Sequence, residues 1–274
     1  MNLEVRPPLW DTFTNRLIIQ GKLVCQTALR IGAGSDPLLP TASDLPILLL
    51  NGQPYIPGSS LRGVLRSHLE RLVRTLEPSP GGGKGACNPV DKNEWCIKTE
   101  DMRELRQSKK DLAFRVWDKS CRICRLFGSP WLASRVRVSD LFCLDENVKP
   151  LIRDGVAIDR EKEAVRNKFD FEVVPPGTRF RLELLAENLS PDELGLVWLG
   201  IRELQEGRIQ VGGFKGRGLG FVRLEKVQVH MVDGTDREAL KNYITRGEMR
   251  LVAPEELERW LESFWNSCGG GKGA

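Results

Sequence analysis

Two thiols three residues apart, in Cys121-Arg122-Ile123-Cys124, can chelate one soft divalent metal, zinc above all, on a single turn of chain. Cys87 and Cys96 lie in the preceding stretch and can complete a four-sulfur set, although their spacing is not that of a standard second knuckle. His68 is an alternative ligand, but a histidine on the apolar face of a helix is more often structural. A thioredoxin-like redox pair is the rival chemistry, and no βαβ pattern precedes it. Cys25, Cys143 and Cys268 read as core or tail thiols.

A second constellation suits phosphate. Residues Val211 to Gly220 run Val-Gly-Gly-Phe-Lys-Gly-Arg-Gly-Leu-Gly, with Lys215 and Arg217 set among five glycines. Glycines permit positive φ and close approach of a ligand, and successive amides can then form an anion nest. A P-loop or Rossmann turn needs the order strand, loop, helix. The order here is helix, loop, strand, so mononucleotide binding is excluded and Gly213, Lys215, Gly216 and Arg217 are expected to hold a nucleic-acid backbone. Five glycines exceed what one tight turn requires. Ser59, Ser60, Arg62 and Arg66 cluster in the first turns of a helix and make a second anion site, or else an ordinary cap with solvated arginines.

Between Gly155 and Glu172 two short apolar arms flank a charged tip carrying Arg160, Arg166 and Lys168. That pattern fits a protruding hairpin, though charge runs are usually solvated loops. No Ser/His/Asp triad is visible, and with only His68 and His230 a histidine acid–base pair is disfavoured. Asp44, in Thr41-Ala42-Ser43-Asp44-Leu45-Pro46, is by itself an ordinary loop carboxylate.

These groups need a scaffold. The chain has 274 residues, 41% hydrophobic and 28% charged, enough to bury a core. Its net charge of +4, from 41 basic against 37 acidic residues, is too small to establish nucleic-acid binding alone. No stretch approaches the roughly 20 apolar residues of a membrane span. Met1 to Pro8 lacks a signal-peptide core, so a cytoplasmic protein without membrane partners is expected.

Alternation from Leu17 to Ile31 predicts one long half-buried strand. Asn51-Gly52 predicts a hairpin turn, and Ser59-Ser60 the cap of a helix carrying Leu61, Leu65, Leu69 and Val73. Residues 78–120 are polar and Gly-rich, an insertion read as decoration. Strands are expected at 136–141, 178–187 and 219–229. Ser190-Pro191-Asp192-Glu193 opens a helix ending at Gly207, and Leu257, Trp260 and Phe264 mark a last amphipathic helix. This order suits a ferredoxin-like, RRM-like α+β core with insertions.

Five segments together resemble the Cas-seven family of the RAMP superfamily, the backbone subunits of type III CRISPR effectors. They are Leu29-Arg30-Ile31-Gly32 with Asp44-Leu45-Pro46-Ile47; Pro54 to Gly63; Cys121 to Gly128; Val156 to Arg160 with Phe169 to Gly177; and the glycine loop at 212–220. The resemblance covers about residues 15–225. It implies an RRM-like palm, a zinc-bearing insertion at about 78–130 and a thumb hairpin at 155–172; with the C-terminal helix and flexible Gly-rich tail at 254–274, which lie beyond it, the chain reads as one domain over 1–274.

Such subunits stack along CRISPR RNA, grip its backbone, pair with target RNA and assemble with other effector subunits. The implied RNA contacts are Arg30, Ser59, Ser60, Arg62, Arg66, Arg160, Arg166, Lys168, Gly213, Lys215, Gly216 and Arg217. The implied metal ligands are Cys87, Cys96, Cys121 and Cys124, holding Zn2+. Some members cleave target RNA with Mg2+ through the aspartate corresponding to Asp44; others are silent scaffolds. Here Ser43 stands where the family often has an apolar residue, and 81–100 is an unusual insertion, so both alternatives stay open. A stand-alone repeat-processing endoribonuclease is disfavoured by the scarcity of histidine.

Overall fold

The computed structural model describes residues 10–33, 43–107, 111–159, 161 and 164–269. Strand β1 (Asn15–Cys25) buries Leu17, Ile19, Leu23 and Cys25, the period-two face predicted. It stops at Cys25, short of the expected Ile31. The amides of Gln26 and Thr27 turn to the Phe221 carbonyl at 2.8 and 3.2 Å, and the chain bends there. Leu29 then bridges Val174, which carries Arg30 towards the glycine loop.

Strands β2 (Leu49–Leu50) and β3 (Gln53–Ile56) close around Asn51 and Gly52, both at positive φ as a type I′ turn demands. Helix α1 (Gly58–Leu76) starts before the serines expected to cap it. Gly58 is already helical, and its amide is held by Asp140 Oδ1 at 2.8 Å. A Cβ at Gly58 would lie 2.1 Å from the Val138 carbonyl, so only glycine allows this approach.

Helices α2 (Thr99–Gln107), α3 (Leu112–Lys119) and α4 (Arg122–Phe127) follow within the insertion. Decoration is too weak a description of it. Ile97, Met102, Leu105 and Val116 form a small core of their own, and Ala86 and Cys87 enter the main one. The chain continues through β4 (Val136–Val138), β5 (Leu141–Phe142), and the antiparallel hairpin of β6 (Leu151–Asp159) and β7 (Ala164–Val173). That hairpin is longer than the expected 155–172.

Strand β8 (Arg179–Glu187) leads to helix α5 (Pro191–Gln205), which opens with the predicted capping box of Ser190 and Glu193. After β9 (Val222–Asp233) come α6 (Arg237–Arg246), β10 (Arg250–Leu251) and α7 (Pro254–Ser267). Neither α6 nor β10 was expected.

The result is an α+β fold whose main sheet runs β10-β9-β1-β8-β4, antiparallel throughout. Leu61, Leu65, Leu69 and Val73 of α1 and Ile201 and Leu204 of α5 join Leu17, Ile19 and Leu23 of β1 in one core. Two arginines are buried beneath the helices: Arg122 bonds Glu77 at 2.8 and 3.0 Å, and Arg135 bonds Glu193 at 2.9 Å. Among the described residues no helix is long and apolar enough to cross a membrane.

Helices α5 and α7 cross at Gly195, where a Cβ would lie 2.0 Å from the Trp260 carbonyl. Gly195→Ala should therefore force α7 outward and destabilise the protein by about 1–3 kcal/mol. Urea unfolding should show the earlier midpoint, with the slope unchanged.

Candidate nucleic-acid interface and metal centre

The glycine loop is held from behind by the bend after β1. The Gly213 amide bonds the Arg30 carbonyl at 2.8 Å, and the Gly220 amide bonds the Ala28 carbonyl at 2.9 Å. Gly212, at positive φ, lies so close that a Cβ would be 2.3 Å from the Arg30 carbonyl. The Gly213 amide is thus spent internally and is not the phosphate donor expected. Phe214 is left-handed at φ 57°, and a short 3-10 turn over Lys215–Arg217 follows. The amides of Phe214, Lys215 and Gly216 have no acceptor among the described residues. Successive free amides after a left-handed residue are the geometry of an anion nest.

Cations surround that nest. Arg30 and Arg217 approach the Phe214 ring with guanidinium carbons 5.0 and 4.6 Å from its centroid, and Arg217 also lies over Phe169 at 5.3 Å. Arg30 Nε is buried without an acceptor among the described residues, and this burial lowers the arginine's pKa against the pull of Glu172. Lys215 and Arg217 are exposed. Phe171 meets Phe214 edge-on at 5.1 Å. These phenylalanines were visible in the sequence only as hairpin arms and loop filler, yet they join hairpin to loop.

The same hairpin positions Asp44. The Asp44 amide donates to Asp170 Oδ1 at 2.6 Å, and the Asp170 amide donates to Asp44 Oδ2 at 3.0 Å. Ser43 Oγ adds a bond to Asp170 Oδ1 at 2.8 Å. Glu172 extends the zipper: its amide reaches the Leu45 carbonyl at 3.0 Å and its carboxylate accepts from the Ile47 amide at 3.0 Å. Asp44 is exposed, and its Oδ1 carries no hydrogen bond among the described residues.

Lys168, on β7, faces Asp154 at 3.5 Å across the exposed hairpin. Arg160 lies outside the described residues. Arg166 is placed on β7 by its backbone. Ser59 is exposed and Ser60 half-buried on the first turn of α1, beside the Asp140 carboxylate that already occupies that helix end. That carboxylate opposes the second anion site expected there.

Arg62 and Arg66 spend their guanidinium donors within the chain. Arg62, Arg66, Glu70 and Arg74 recur every four residues and form a stripe along α1 that grips the insertion. Arg62 donates to the Val136 carbonyl at 3.2 Å, to Ser134 Oγ at 3.0 Å and to the Phe127 carbonyl. Arg66 bonds Glu70 and the Gly128 carbonyl, and Arg74 bonds the carbonyls of Ala86 and Cys87 at 3.0 and 2.8 Å. Interior carbonyls supply the acceptors that phosphates were expected to supply. Glu70 and Arg74 were missed, although their spacing gives the stripe away.

What this stripe clamps is the cysteine set. The sulfurs of Cys87, Cys96, Cys121 and Cys124 all lie within 4.8 Å of one another, and those of Cys87 and Cys124 are 3.5 Å apart. Cys121 caps α4 and is fully buried; Cys96 is half-buried. Hydrogen bonding from Cys121 above all holds Cys87 well below the ordinary thiol range, and donation to Cys121 pushes Cys124 up. The four can hold a metal ion. His68 belongs elsewhere, bonded to Glu203 at 3.0 Å and Arg71 at 3.1 Å. Cys25 is a core thiol, pushed up to about 12 by burial.

The Asp170 carboxyl is held below the ordinary carboxylate range, first by the Asp44 amide and then by Ser43. A lowered folded-state pKa means that the bracket is intact above the unfolded pKa and is lost as pH falls through the folded one. Asp170→Asn should give faster hydrogen exchange at residues 43–48 at neutral pH. The wild type should match it only after acidification below the carboxylate range.

A family model described as the RAMP superfamily matches residues 22–223. The chain is 27% identical over 248 residues to a protein of Methanothermobacter thermautotrophicus named CRISPR system Cms endoribonuclease Csm3, covering 79% of this chain and 86% of that one. It is 24% identical over 273 residues to the protein of the same name from Methanocaldococcus jannaschii, covering 93% and 96%. With nest, bracketed carboxylate and cysteine set all on or beside a matched stretch that takes in most of the chain, the chain belongs to the RAMP superfamily.

Proposed function

We propose that the chain is a Cas-seven backbone subunit of a type III CRISPR effector, gripping CRISPR RNA by its phosphates and cutting the paired target RNA at Asp44. The observation that carries this reading is one small apolar cluster. Ala28, Phe171, Val173 and Leu219, with Leu45, Phe169 and Phe214 packed on them, bring the Asp44 segment, the hairpin root and the glycine loop to one place. A phosphate backbone on the Phe214–Gly216 amides, Lys215 and Arg217 would run beside the carboxylate. The names of the two relatives support the same assignment.

The order β9-β1-β8-β4, with α1 and α5 as the crossovers, supports a ferredoxin-like, RRM-like palm in a single domain over 1–274, the insertion at 78–130 and the thumb being elaborations of it. The β6–β7 hairpin is the thumb. Its exposed Ile152, Val156 and Val165 suit wedging between base pairs, while Lys168, Arg160 and Arg166 meet phosphates. Sequence specificity then belongs to guide–target pairing, the protein reading backbone and shape. The other partners are neighbouring effector subunits.

The four cysteines fit zinc: bonds of about 2.3 Å in a tetrahedron set sulfurs about 3.8 Å apart. Such a zinc is structural, tying the insertion to the palm. For Mg2+, Asp44 Oδ1 and Asp170 Oδ2 are carboxylate oxygens without hydrogen bonds among the described residues, a hard donor set. Bound Mg2+ would offset charge on the scissile phosphate. Asp44 contributes its negative charge at a position set by the Asp170 amide. That same amide bond favours a second reading, in which Asp44 is a structural bracket and the subunit a silent scaffold.

Asp44→Asn keeps the side-chain volume and removes the charge. In the assembled effector it should abolish Mg2+-dependent target cleavage at this subunit's site while target binding persists, because binding is spread over many contacts. Cleavage that survives in Asp44→Asn, or a wild-type complex that binds target and never cuts it, would establish the scaffold instead. Lys215→Ala and Arg217→Ala should each lower the salt dependence of RNA binding by about 0.7 in log–log slope.

A further inference from the structure

One charged group of the palm helix touches the cysteine set directly. Arg66 sends Nε to Glu70 Oε1 at 2.8 Å, Nη1 to the Gly128 carbonyl at 3.1 Å and Nη2 to Cys124 Sγ at 3.8 Å. Its side chain is 19% exposed and that of Glu70 8%. A planar guanidinium fixed at three corners has little freedom left, so its N–H is aimed at sulfur continuously. Among the described residues no second cationic side chain donates to any of the four sulfurs.

Electrostatics gives this contact a purpose. Four thiolates around one divalent ion leave a net charge of about −2 in a site that is mostly buried, which is costly without a counter-charge. Of the three stripe residues at the cysteine end, Glu70 pairs with both Arg66 and Arg74 and offsets one of them, leaving one positive charge beside the sulfurs. A hydrogen bond to a coordinated thiolate also orients it and makes it less open to attack. A cavity of about 110 Å3, lined by Arg66, Cys96, Cys124, Trp95 and Trp131, opens on the set and gives reagents their approach.

We propose that Arg66 is the positioning and charge-balancing residue of the metal centre, its Nη2 hydrogen bond holding the Cys124 thiolate in place and slowing metal loss. The centre's lifetime is then governed from helix α1 of the palm. This rests on the reading of the four cysteines as a zinc site. Arg62 supplies the internal comparison, since it bonds the Phe127 carbonyl, Ser134 and Val136 from the same stripe without touching a cysteine.

The test loads the full chain with zinc, challenges it with N-ethylmaleimide, and follows release with a chromogenic chelator. Arg66→Met should release zinc about tenfold faster than wild type, the lower end of what loss of an outer-shell partner costs. Arg66→Lys, with charge but no fork, should fall between the two. Arg62→Met should release at the wild-type rate. In cadmium-loaded protein, the sulfur-to-metal charge-transfer band should shift in Arg66→Lys.

Wild-type release from Arg66→Met, or equal acceleration in Arg62→Met, overturns the assignment to Arg66. If Arg66→Met does not fold, a wild-type rate and an unshifted band in Arg66→Lys overturn it. A wild-type chain that binds no zinc refutes the zinc reading itself, a result separable from the others by metal content before the challenge.

Discussion

Helix α1 has two working faces, and the arrangement of everything else depends on both. Leu61, Leu65, Leu69 and Val73 are buried against the sheet, while Arg62, Arg66, Glu70 and Arg74 face the insertion. An amphipathic surface helix would give that second face to water. Here its arginines donate mostly to backbone carbonyls, those of Ala86, Cys87, Phe127, Gly128 and Val136, and such groups are costly to leave unpaired when buried. Residues 86–128 are thereby docked on helix α1 by directional polar contacts around a cysteine set. A greasy interface would be less particular about register.

The candidate RNA site shows a different strategy. It sits on a small apolar cluster separate from the main core, to which the Asp44 segment contributes one residue, the hairpin three and the glycine loop two. Around it each of these polar contacts has a main-chain partner: Asp44 and Asp170 exchange amide-to-carboxylate bonds, while Leu45 with Glu172 and Gly213 with Arg30 bond backbone to backbone. None of these contacts draws on Lys215, Arg217 or Lys168, whose side chains are exposed. Phe214 accepts a left-handed conformation that is uncommon for a bulky residue, and such strain collects where function over-determines geometry.

Much of this was legible from residue order. The capping box at Ser190, the Asn51-Gly52 turn and the alternation of β1 are local signals, and each formed the element it announced. The cysteines were legible because metal ligation leaves few alternatives for such a cluster. Local signals ran out where a partner distant in sequence decides. Nothing near Arg62 or Arg66 reveals that carbonyls of residues 127–136 will cover them, so their positive charge suggested phosphate. Nothing near Gln26 shows that Phe221 will end the strand. Gly213 was counted as a free donor for the same reason. Helix α6 and strand β10 went unread because α6 buries none of its residues and β10 is only two residues long.

The Asp44–Asp170 bracket also has a kinetic meaning. Its two halves are 126 residues apart, and Phe221, which bonds the bend beneath Arg30, is 194 residues from Thr27. Closing such long loops costs entropy before any contact repays it, so contacts of this range form late in folding. On a ribosome the constraint is absolute, because the N-terminal strand emerges long before its partners are made. Helix α1 can settle against β1 early, whereas the carboxylate and the glycine loop wait for residues 170 and 220. A truncated or stalled chain therefore carries the scaffold's beginning without a finished candidate site.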